Sequence, residues 1–176
     1  MLAAVTAALG VVLALILAYG RRLRGVPMVR GAVRVAGMGY AIPGTVIAVG
    51  VILPFAWLDN TIDGWAREYF GVSTGLLLSG TLVALVFAYL VRFLAVSLPT
   101  VEAGIGKVGL SIDDTARSLG CRPGEVLRRV HIPMIRGSLL TAALLVFVDV
   151  MKELPATLIL RPFNFNTLAV RTFELA

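Results

Sequence analysis

The sequence predicts an all-α membrane protein, a polytopic bundle of transmembrane helices with a two-helix elbow on the cytoplasmic side. Apolar residues make up 59% of the 176 positions and charged residues only 15%, against roughly 25% charged residues in a soluble domain. The mean hydropathy of +0.93 reflects more apolar surface than a soluble core of this size could bury. Backbone groups in lipid must be bonded within the chain, so the apolar stretches are predicted to be helices.

Four apolar stretches are long enough, or nearly so, to cross a bilayer, which takes about 20 helical residues. They are residues 2–19, 40–57, 75–91 and 138–150. The fourth is short and is interrupted by a run of polar residues and a proline. The first stretch has neither a basic leader before it nor a small-residue cleavage site after it, so we expect it to be a span and not a cleaved signal.

The charges of the connections predict the orientation in the membrane. Five arginines and no acid lie between the first two spans: Arg21, Arg22, Arg24, Arg30 and Arg34. The next connection holds three acids and one arginine: Asp59, Asp63, Glu68 and Arg67. By the positive-inside rule the first connection is cytoplasmic and the second external. Residues 92–137, with seven Lys or Arg and four acids, return to the cytoplasm. The net charge of +6 is thereby explained without a nucleic-acid partner.

Two patterns accompany the external connection. Aromatic residues of the kind found at membrane interfaces flank it: Trp57, Trp65, Tyr69 and Phe70. Gly71, Gly75 and Ser79 recur at four-residue spacing along the third predicted span. On a helix this spacing forms a stripe of small residues, which we interpret as a surface for close internal packing of helices.

The cytoplasmic segment 92–137 is longer than a minimal connection and contains polar helical sequence. Ser111 is a predicted N-cap, and Asp114 completes an arrangement like a capping box. Asp113 and Asp114 would also interact favourably with the positive end of the helix. Gly120 is predicted to end this helix, because glycine adopts the left-handed conformation at the lowest cost.

A second short helix is predicted directly after the first. Pro123 suits its first turn, where the missing N–H costs nothing, and Glu125 lies near its positive end. Pro133 is predicted to end this helix. His131, beside Pro133, is interpreted as a surface or packing residue. The two helices would form an elbow between membrane spans, and because no catalytic residues lie in it, we interpret it as a docking surface.

The elbow resembles the cytoplasmic signature of the bacterial ABC-importer permeases. That signature reads Glu-Ala-Ala, three residues, Gly, nine residues, then Ile-x-Leu-Pro. Here Asp114-Thr115-Ala116 is followed after three residues by Gly120 and after nine more by Val130-His131-Ile132-Pro133. All the fixed spacings match. The departures are Asp for Glu, Thr for Ala, Val for Ile and Ile for Leu, each of which keeps the charge or the approximate size.

The resemblance implies that the elbow fits a cleft on a separate ATP-binding subunit and transmits its closure to the membrane helices. The implied coupling residues are Asp114, Thr115, Ala116, Gly120, Val130, Ile132 and Pro133. It also implies a periplasmic substrate-binding protein and a second permease half, either as a homodimer or as a fused repeat. The expected location is the bacterial inner membrane, and no enzymatic activity is expected of this chain.

The glycine patterns of the chain do not indicate an ATP site. Gly104-x-Gly106-x-x-Gly109 matches the dinucleotide pattern, but no predicted strand precedes it. Gly106-Lys107 lacks the other positions of a phosphate-binding loop. We therefore expect ATP and Mg²⁺ to be bound by the partner ATPase, with no cofactor in this chain.

Two further stretches are similar to the ferric-iron importer permeases. They are residues 39–45, at the start of the second span, and residues 152–163. Permeases for thiamine, polyamines and phosphonates share parts of both, so these substrates stay open as alternatives. One His, one Cys and no spaced set of Asp, Glu and Tyr predict no metal site in the chain. That pattern fits a permease whose substrate is selected by a separate binding protein.

Charges at the end of the fourth span suggest a role in transport. Ionisable groups at membrane depth are costly and usually face a cavity or a partner. Asp149, Lys152 and Glu153 could therefore border the translocation path. The alternative is that Lys152 and Glu153 only mark the external interface and neutralise each other.

Two alternatives of another class stay open. A gradient-driven secondary transporter or channel could use the broken helix near Pro155, but it would not need the elbow, and copurification of an ATP-binding subunit would distinguish the two. A non-transporting scaffold would not need Glu153 inside the bundle. The family resemblance and the polar end of the fourth span also lead us to expect a further span after Ala176.

Overall fold

The structure is a computed structural model that describes residues 1–23, 27–163 and 165–175. Within these ranges all regular elements are helical, which confirms the all-α prediction. Arg24, one of the arginines used to predict the orientation, lies outside the described residues.

The first half of the chain forms the long helices. They are α1 (Leu2–Leu23), α2 (Pro27–Met38), a 3₁₀ turn (Gly39–Ala41), α3 (Gly44–Phe70) and α4 (Leu82–Gly106). Of these, α1, α3 and α4 are long and apolar enough to cross a membrane, and 18-residue stretches within them have mean hydropathies of 2.5, 1.6 and 2.1.

The second half contains the elbow and a further long helix. The elbow consists of α5 (Leu110–Ser118), α6 (Pro123–Val126), a π-helical turn (Leu127–His131) and α7 (Ile132–Met134). It is followed by α8 (Arg136–Lys152), α9 (Pro155–Leu160) and α10 (Leu168–Glu174). The helical segment ending at Met134 meets α8 at 77°, and the two together are a fourth candidate for a broken span or a re-entrant segment.

The core is the seam where α1, α4 and α8 pack on one another. α1 contributes mainly small buried residues, such as Ala7, Gly10 and Ala14. α4 and α8 cross closely at Gly104, where an added Cβ would lie 2.7 Å from the Ser138 side chain. α3 packs against α4 and α9. Small residues are what allow helices to approach this closely in a membrane.

The second helix is much longer than the predicted span 40–57. α3 continues to Phe70, so the four aromatic residues assigned to the flanks of the external connection lie on this helix, and all four are exposed. A helix of 27 residues is about 40 Å long, more than the roughly 30 Å of a hydrocarbon core. The sequence prediction ended the span where charges begin, but charged residues are also stable on a helix that extends into water.

The third helix begins later than the predicted span 75–91. Gly71, Gly75 and Gly80 have φ angles of 66°, 63° and 70°, so the residues before Leu82 are not helical. The Asp59 carboxylate accepts the backbone N–H groups of Leu77, Leu78 and Ser79 at 3.2, 2.9 and 2.7 Å. The segment is thereby folded back on α3, and the predicted helical stripe of small residues is wrong.

The predicted cytoplasmic segment 92–137 is also shorter in the structure. α4 runs through Pro99 to Gly106, so Arg92 belongs to the helix and not to a loop. The connection after α1 contains α2, a 12-residue helix with no buried residue, which the loop prediction missed.

The predicted orientation can be tested with cysteines on two exposed positions. Thr61 lies on α3, where its hydroxyl bonds only to the Trp57 carbonyl, and Arg30 lies on α2. In a Cys121→Ser background, Thr61→Cys is expected to react with an impermeant thiol reagent added to intact cells. Arg30→Cys should react only after the membrane is permeabilised. The opposite labelling pattern would invert the topology.

Candidate functional site

The first helix of the elbow ends at a glycine in the left-handed conformation. Gly120 has φ +81°, and its N–H donates to the Arg117 carbonyl at 2.9 Å. The Cys121 N–H donates to the Ala116 carbonyl at 3.0 Å. These two bonds form a Schellman motif, which confirms the predicted helix end.

The start of this helix differs from the prediction. α5 begins at Leu110 with Gly109 as its N-cap and no side-chain capping bond, so Ser111 is not the cap. The Arg22 guanidinium fixes the first turn, because it donates to the Gly109 carbonyl at 3.1 Å and to the Asp113 carboxylate at 2.7 Å. Asp113 is accordingly buried and does not lie free at the helix end.

The second arm of the elbow begins as predicted and ends later. Pro123 occupies the first turn of α6, and the Glu125 carboxylate accepts the Arg122 N–H at 2.9 Å. Pro133 does not end the arm, because a π-helical turn precedes it in which the Ile132 N–H donates to the Leu127 carbonyl. A wider turn of this kind accommodates a residue without an N–H. The arm ends at Ile135, whose φ and ψ are −101° and 13°.

The predicted coupling residues divide into an exposed and a covered group. The exposed ones are Asp114, Thr115, Gly120 and Pro133. Ala116 is buried, and Val130 and Ile132 are half-buried. The covered residues therefore hold the elbow together, and only the exposed ones are available to a partner.

Two leucines that the sequence prediction missed are also exposed on the elbow. Leu110 is 69% exposed and Leu119 79% exposed. We define the elbow tip as five of the exposed residues of this first arm: Leu110, Asp114, Thr115, Leu119 and Gly120. A short helix that presents large apolar side chains beside a carboxylate to water is typical of a surface that binds another protein.

A buried polar cluster lies behind the elbow tip. Arg22, from the end of α1, and Asp113 form an ion pair whose side chains are 10% and 5% exposed. His131 is fully buried, and its Nε2 lies 2.7 Å from Asp113 Oδ1. The Tyr19 ring packs against the His131 ring with centroids 5.2 Å apart. Of the two interpretations of His131, as a surface residue or as a packing residue, the structure therefore agrees with the second.

The pKa of Asp113 is set by two opposing effects. Burial raises it, but hydrogen bonds from Arg22 and His131 and their positive charge outweigh burial, so the pKa of Asp113 is lowered. A carboxyl whose pKa is lower in the folded state stabilises the fold above its unfolded pKa of about 3.9. Asp113 is thus expected to be ionised at neutral pH, and its contribution to stability to be lost only in acid.

The predicted path residues form two separate pairs. Lys152 Nζ lies 2.7 Å from Asp149 Oδ1, with the Lys152 side chain 65% exposed. Glu153 instead pairs with Arg92, whose Nε lies 3.4 Å from Glu153 Oε2, with side chains 8% and 18% exposed. The alternative in which Lys152 and Glu153 neutralise each other is therefore wrong.

The pair of Arg92 and Glu153 joins two interruptions in the helices. Arg92 donates to the Ile42 carbonyl at 2.9 Å, in the break between α2 and α3. Glu153 lies in the break between α8 and α9, and its Oε1 accepts the Ala156 N–H at 3.4 Å. A Cβ at Gly44 would overlap Glu153 Oε1, so a larger residue where α3 begins would displace the Glu153 carboxylate.

Arg92 lies well inside α4. It is ten residues after Leu82 and fourteen before Gly106, which is about 15 Å and 21 Å along the helix. In a helix that crosses the membrane, this places the ion pair within the hydrocarbon layer. Interrupted helices joined by charges at this depth are typical of transport pathways. Within the described ranges, no three or more His, Cys, Asp or Glu side chains are grouped to hold a metal ion.

A helical bundle of this kind, with apolar helices long enough to cross a membrane and an elbow between two of its helices, is typical of integral membrane proteins of the transport-permease class. The chain belongs to the family described as binding-protein-dependent transport system inner membrane component, whose model matches residues 10–170. It is accordingly a multi-pass protein of the inner membrane.

The similar proteins are transport permeases whose names give two different substrates. The Fe(3+)-transport system permease protein FbpB 2 of Haemophilus influenzae is 28% identical over 135 residues, which are 77% of this chain and 24% of that protein. The putative 2-aminoethylphosphonate transport system permease proteins PhnV of Salmonella typhimurium and Salmonella choleraesuis are 27% identical over 135 residues. Those residues are 77% of this chain and 45% of each relative. The chain thus spans less than half the length of these relatives.

Proposed function

We propose that this chain is part of the permease subunit of an ATP-driven importer, in which the elbow tip binds a separate ATP-binding subunit. The elbow tip itself carries this proposal. A left-handed turn at Gly120 presents Leu119 and, on the same arm, Asp114 and Leu110 to the cytoplasm. Family membership supports the same role, because the family consists of membrane components of binding-protein-dependent transport systems.

The solute that we propose is ferric iron, delivered by a periplasmic binding protein. The support is the substrate in the name of the Haemophilus influenzae relative and the similarity of residues 39–45 and 152–163 to ferric-iron permeases. 2-Aminoethylphosphonate is the second candidate, favoured by the Salmonella relatives at nearly equal identity. Iron would be cargo and not a bound cofactor of this chain.

The translocation path is proposed to pass the joint between the two helix interruptions. Glu153 is buried and Arg92 half-buried there, and Asp149 lies one helical turn before Glu153. A pathway needs a second wall, which we propose is a second permease half, either another copy or a repeat in the same polypeptide. Lys152, which is largely exposed, would lie nearer the mouth of the path.

The experiment that tests this function is uptake into proteoliposomes containing the full-length permease, its ATP-binding subunit and its binding protein. We expect ATP-dependent uptake of radiolabelled ferric iron and no uptake of labelled 2-aminoethylphosphonate. The matched control contains an ATP-binding subunit that binds ATP without hydrolysing it. Uptake of phosphonate alone would replace iron by the second candidate, and uptake without any ATP-binding subunit would favour a gradient-driven transporter.

A further inference from the structure

The C-terminal end of α1 is bound to both arms of the elbow. We define the clamp as Tyr19 and Arg22 of α1 together with Asp113 and His131 of the elbow. The hydrogen bonds that Tyr19 and Arg22 donate span 83 to 104 residues of the chain, so these contacts are additional to the covalent connections through α4 and α8. Through these contacts α1, which does not adjoin the elbow in the chain, is tied to the position of the elbow.

Arg22 holds three points at once. Its guanidinium donates to the Asp113 carboxylate at 2.7 Å, to the Ile105 carbonyl at 2.6 Å and to the Gly109 carbonyl at 3.1 Å. These acceptors lie in the last turn of α4, at the N-cap of α5 and in the first turn of α5. The planar guanidinium therefore sets the angle between α4 and α5 relative to α1.

Tyr19 and His131 extend the clamp to the second arm. The Tyr19 hydroxyl donates to the Pro123 carbonyl at 2.7 Å, at the start of α6. Because a carboxylate only accepts, His131 Nε2 is the donor to Asp113 Oδ1. His131 lies in the π-helical turn and touches the Tyr19 ring edge-on. Both arms of the elbow are thus fixed to one turn of α1.

If stability were its only role, a buried ion pair would be a costly way to obtain it. Removing two charges from water costs several kcal/mol per ion, and well-packed apolar residues often serve stability equally well. The pair does provide directed bonds that hold one relative position. The rest of α1 faces the core with small side chains such as Ala7 and Ala14, which interlock little with their neighbours. The clamp is therefore the strongest directional connection between α1 and the elbow.

We propose that the clamp makes α1 move with the elbow, so that movement imposed on the elbow tip by the ATP-binding subunit reaches the bundle through α1 as well as through α4 and α8. Arg22, Asp113 and His131 are positioning residues in this scheme. The proposal rests on the proposed function, because it assigns a further path to the same coupling step. It predicts that breaking the clamp leaves docking intact and uncouples ATP hydrolysis from transport.

The test compares Arg22→Gln with Arg21→Gln in the full-length permease. Arg21 is a matched control, since its ion pair with Glu102 is solvent-exposed, with side chains 52% and 27% exposed, and such pairs contribute little. Spin labels on Ile16→Cys in α1 and Val46→Cys in α3, in a Cys121→Ser background, report the position of α1. Both sites are exposed, and the measurement needs the ATP-binding subunit but no solute.

We expect trapping with ATP and vanadate to change the distance between the two spin labels in the parent and in Arg21→Gln. In Arg22→Gln the distance should stay unchanged. Affinity for the ATP-binding subunit should be equal in all three. Solute transported per ATP hydrolysed should fall about tenfold in Arg22→Gln. A variant that only lost folded protein would lower transport and ATP hydrolysis together, and the ratio of solute to ATP would stay unchanged.

The possible outcomes separate the clamp from the function on which it rests. If the parent binds no ATP-binding subunit, the proposed function fails. If the parent binds it but the distance does not shift, or if Arg22→Gln shifts like the parent, the clamp proposal is overturned. Loss of binding in Arg22→Gln would also overturn it, by showing that the clamp only shapes the elbow. If Arg22→Gln does not fold, two variants of His131 provide the same test. His131→Gln, whose amide can donate to Asp113, should show the distance shift of the parent, and His131→Leu should not.

Discussion

Replacing Gly120 with valine is expected to reduce the ability of the permease to stimulate its ATP-binding subunit by about tenfold, while membrane insertion is kept. Gly120 has φ +81°, a conformation that costs an ordinary L-residue roughly 1–2 kcal/mol. A β-branched side chain is among the worst choices there. Since 1.4 kcal/mol corresponds to a factor of ten, the correctly turned elbow would become a minor conformation.

The cause can be isolated because nothing crowds this glycine. A Cβ built on Gly120 meets no atom within 4 Å, so any loss comes from the backbone conformation and not from a clash. Asparagine, which enters the left-handed region more readily, should therefore retain most of the activity, and alanine should be intermediate. Gly124→Ala is the matched control, since Gly124 is equally uncrowded, has no positive φ and lies in a helix.

The measurement is ATP hydrolysis by the reconstituted full-length permease with its ATP-binding subunit, with and without loaded binding protein. Activity should follow the order Gly, Asn, Ala, Val at position 120. Equal stimulation by Gly120→Val and Gly124→Ala would show that the turn has no part in coupling.

The turn at Gly120 could be predicted from sequence because its determinants are local. A Schellman motif needs a glycine after a helical run and backbone groups within five residues, all visible in a short window. The start of α6 was predicted for the same reason, since Pro123 and Glu125 act within one turn. The start of α5 was not, because its conformation depends on Arg22, 91 residues from Asp113.

The ends of the long helices could not be predicted from hydropathy alone. Hydropathy identifies the apolar centre of a helix, but α3 continues beyond Asp59 because Asp59 and Asp63 bind the backbone of the segment after Gly71. The small residues of that segment have the spacing of a stripe on a helix, but the segment is not helical. Its positive φ angles depend on these side chains, which a periodicity argument does not include.

The ion pair of Arg92 and Glu153 also could not be predicted from local sequence patterns. Glu153 was identified as a candidate because it follows an apolar run, but its partner was assigned to a cytoplasmic loop. A single arginine after an apolar stretch resembles a positive-inside signal. Only the packing of α4 against α9 and the 3₁₀ turn distinguishes an arginine inside the bundle from one at its edge.

Breaking this pair is expected to cause the largest loss of stability among single substitutions in the membrane-spanning helices. Removing one partner of a buried ion pair costs about 3–5 kcal/mol, because the other charge stays buried without compensation. Arg92→Met should cost more than Glu153→Gln. In the second variant Arg92 keeps the Ile42 carbonyl and the face of the Tyr40 ring, 5.9 Å away. In the first, Glu153 keeps only a weak backbone donor at 3.4 Å.

The double variant distinguishes the ion pair from simple packing. Arg92→Met with Glu153→Gln leaves no unpaired charge, so its free energy of unfolding in detergent should be nearer to the parent than that of Arg92→Met alone. Arg117→Met is the control, since the side chains of Arg117 and its partner Asp114 are 51% and 73% exposed, and little change is expected. If the two losses simply add in the double variant, the residues do not stabilise each other, and the joint between the two helix breaks must be held by other contacts. If the double variant is stable and yet transports nothing, the two charges serve the passage of solute and not the fold, as expected of groups that line the path.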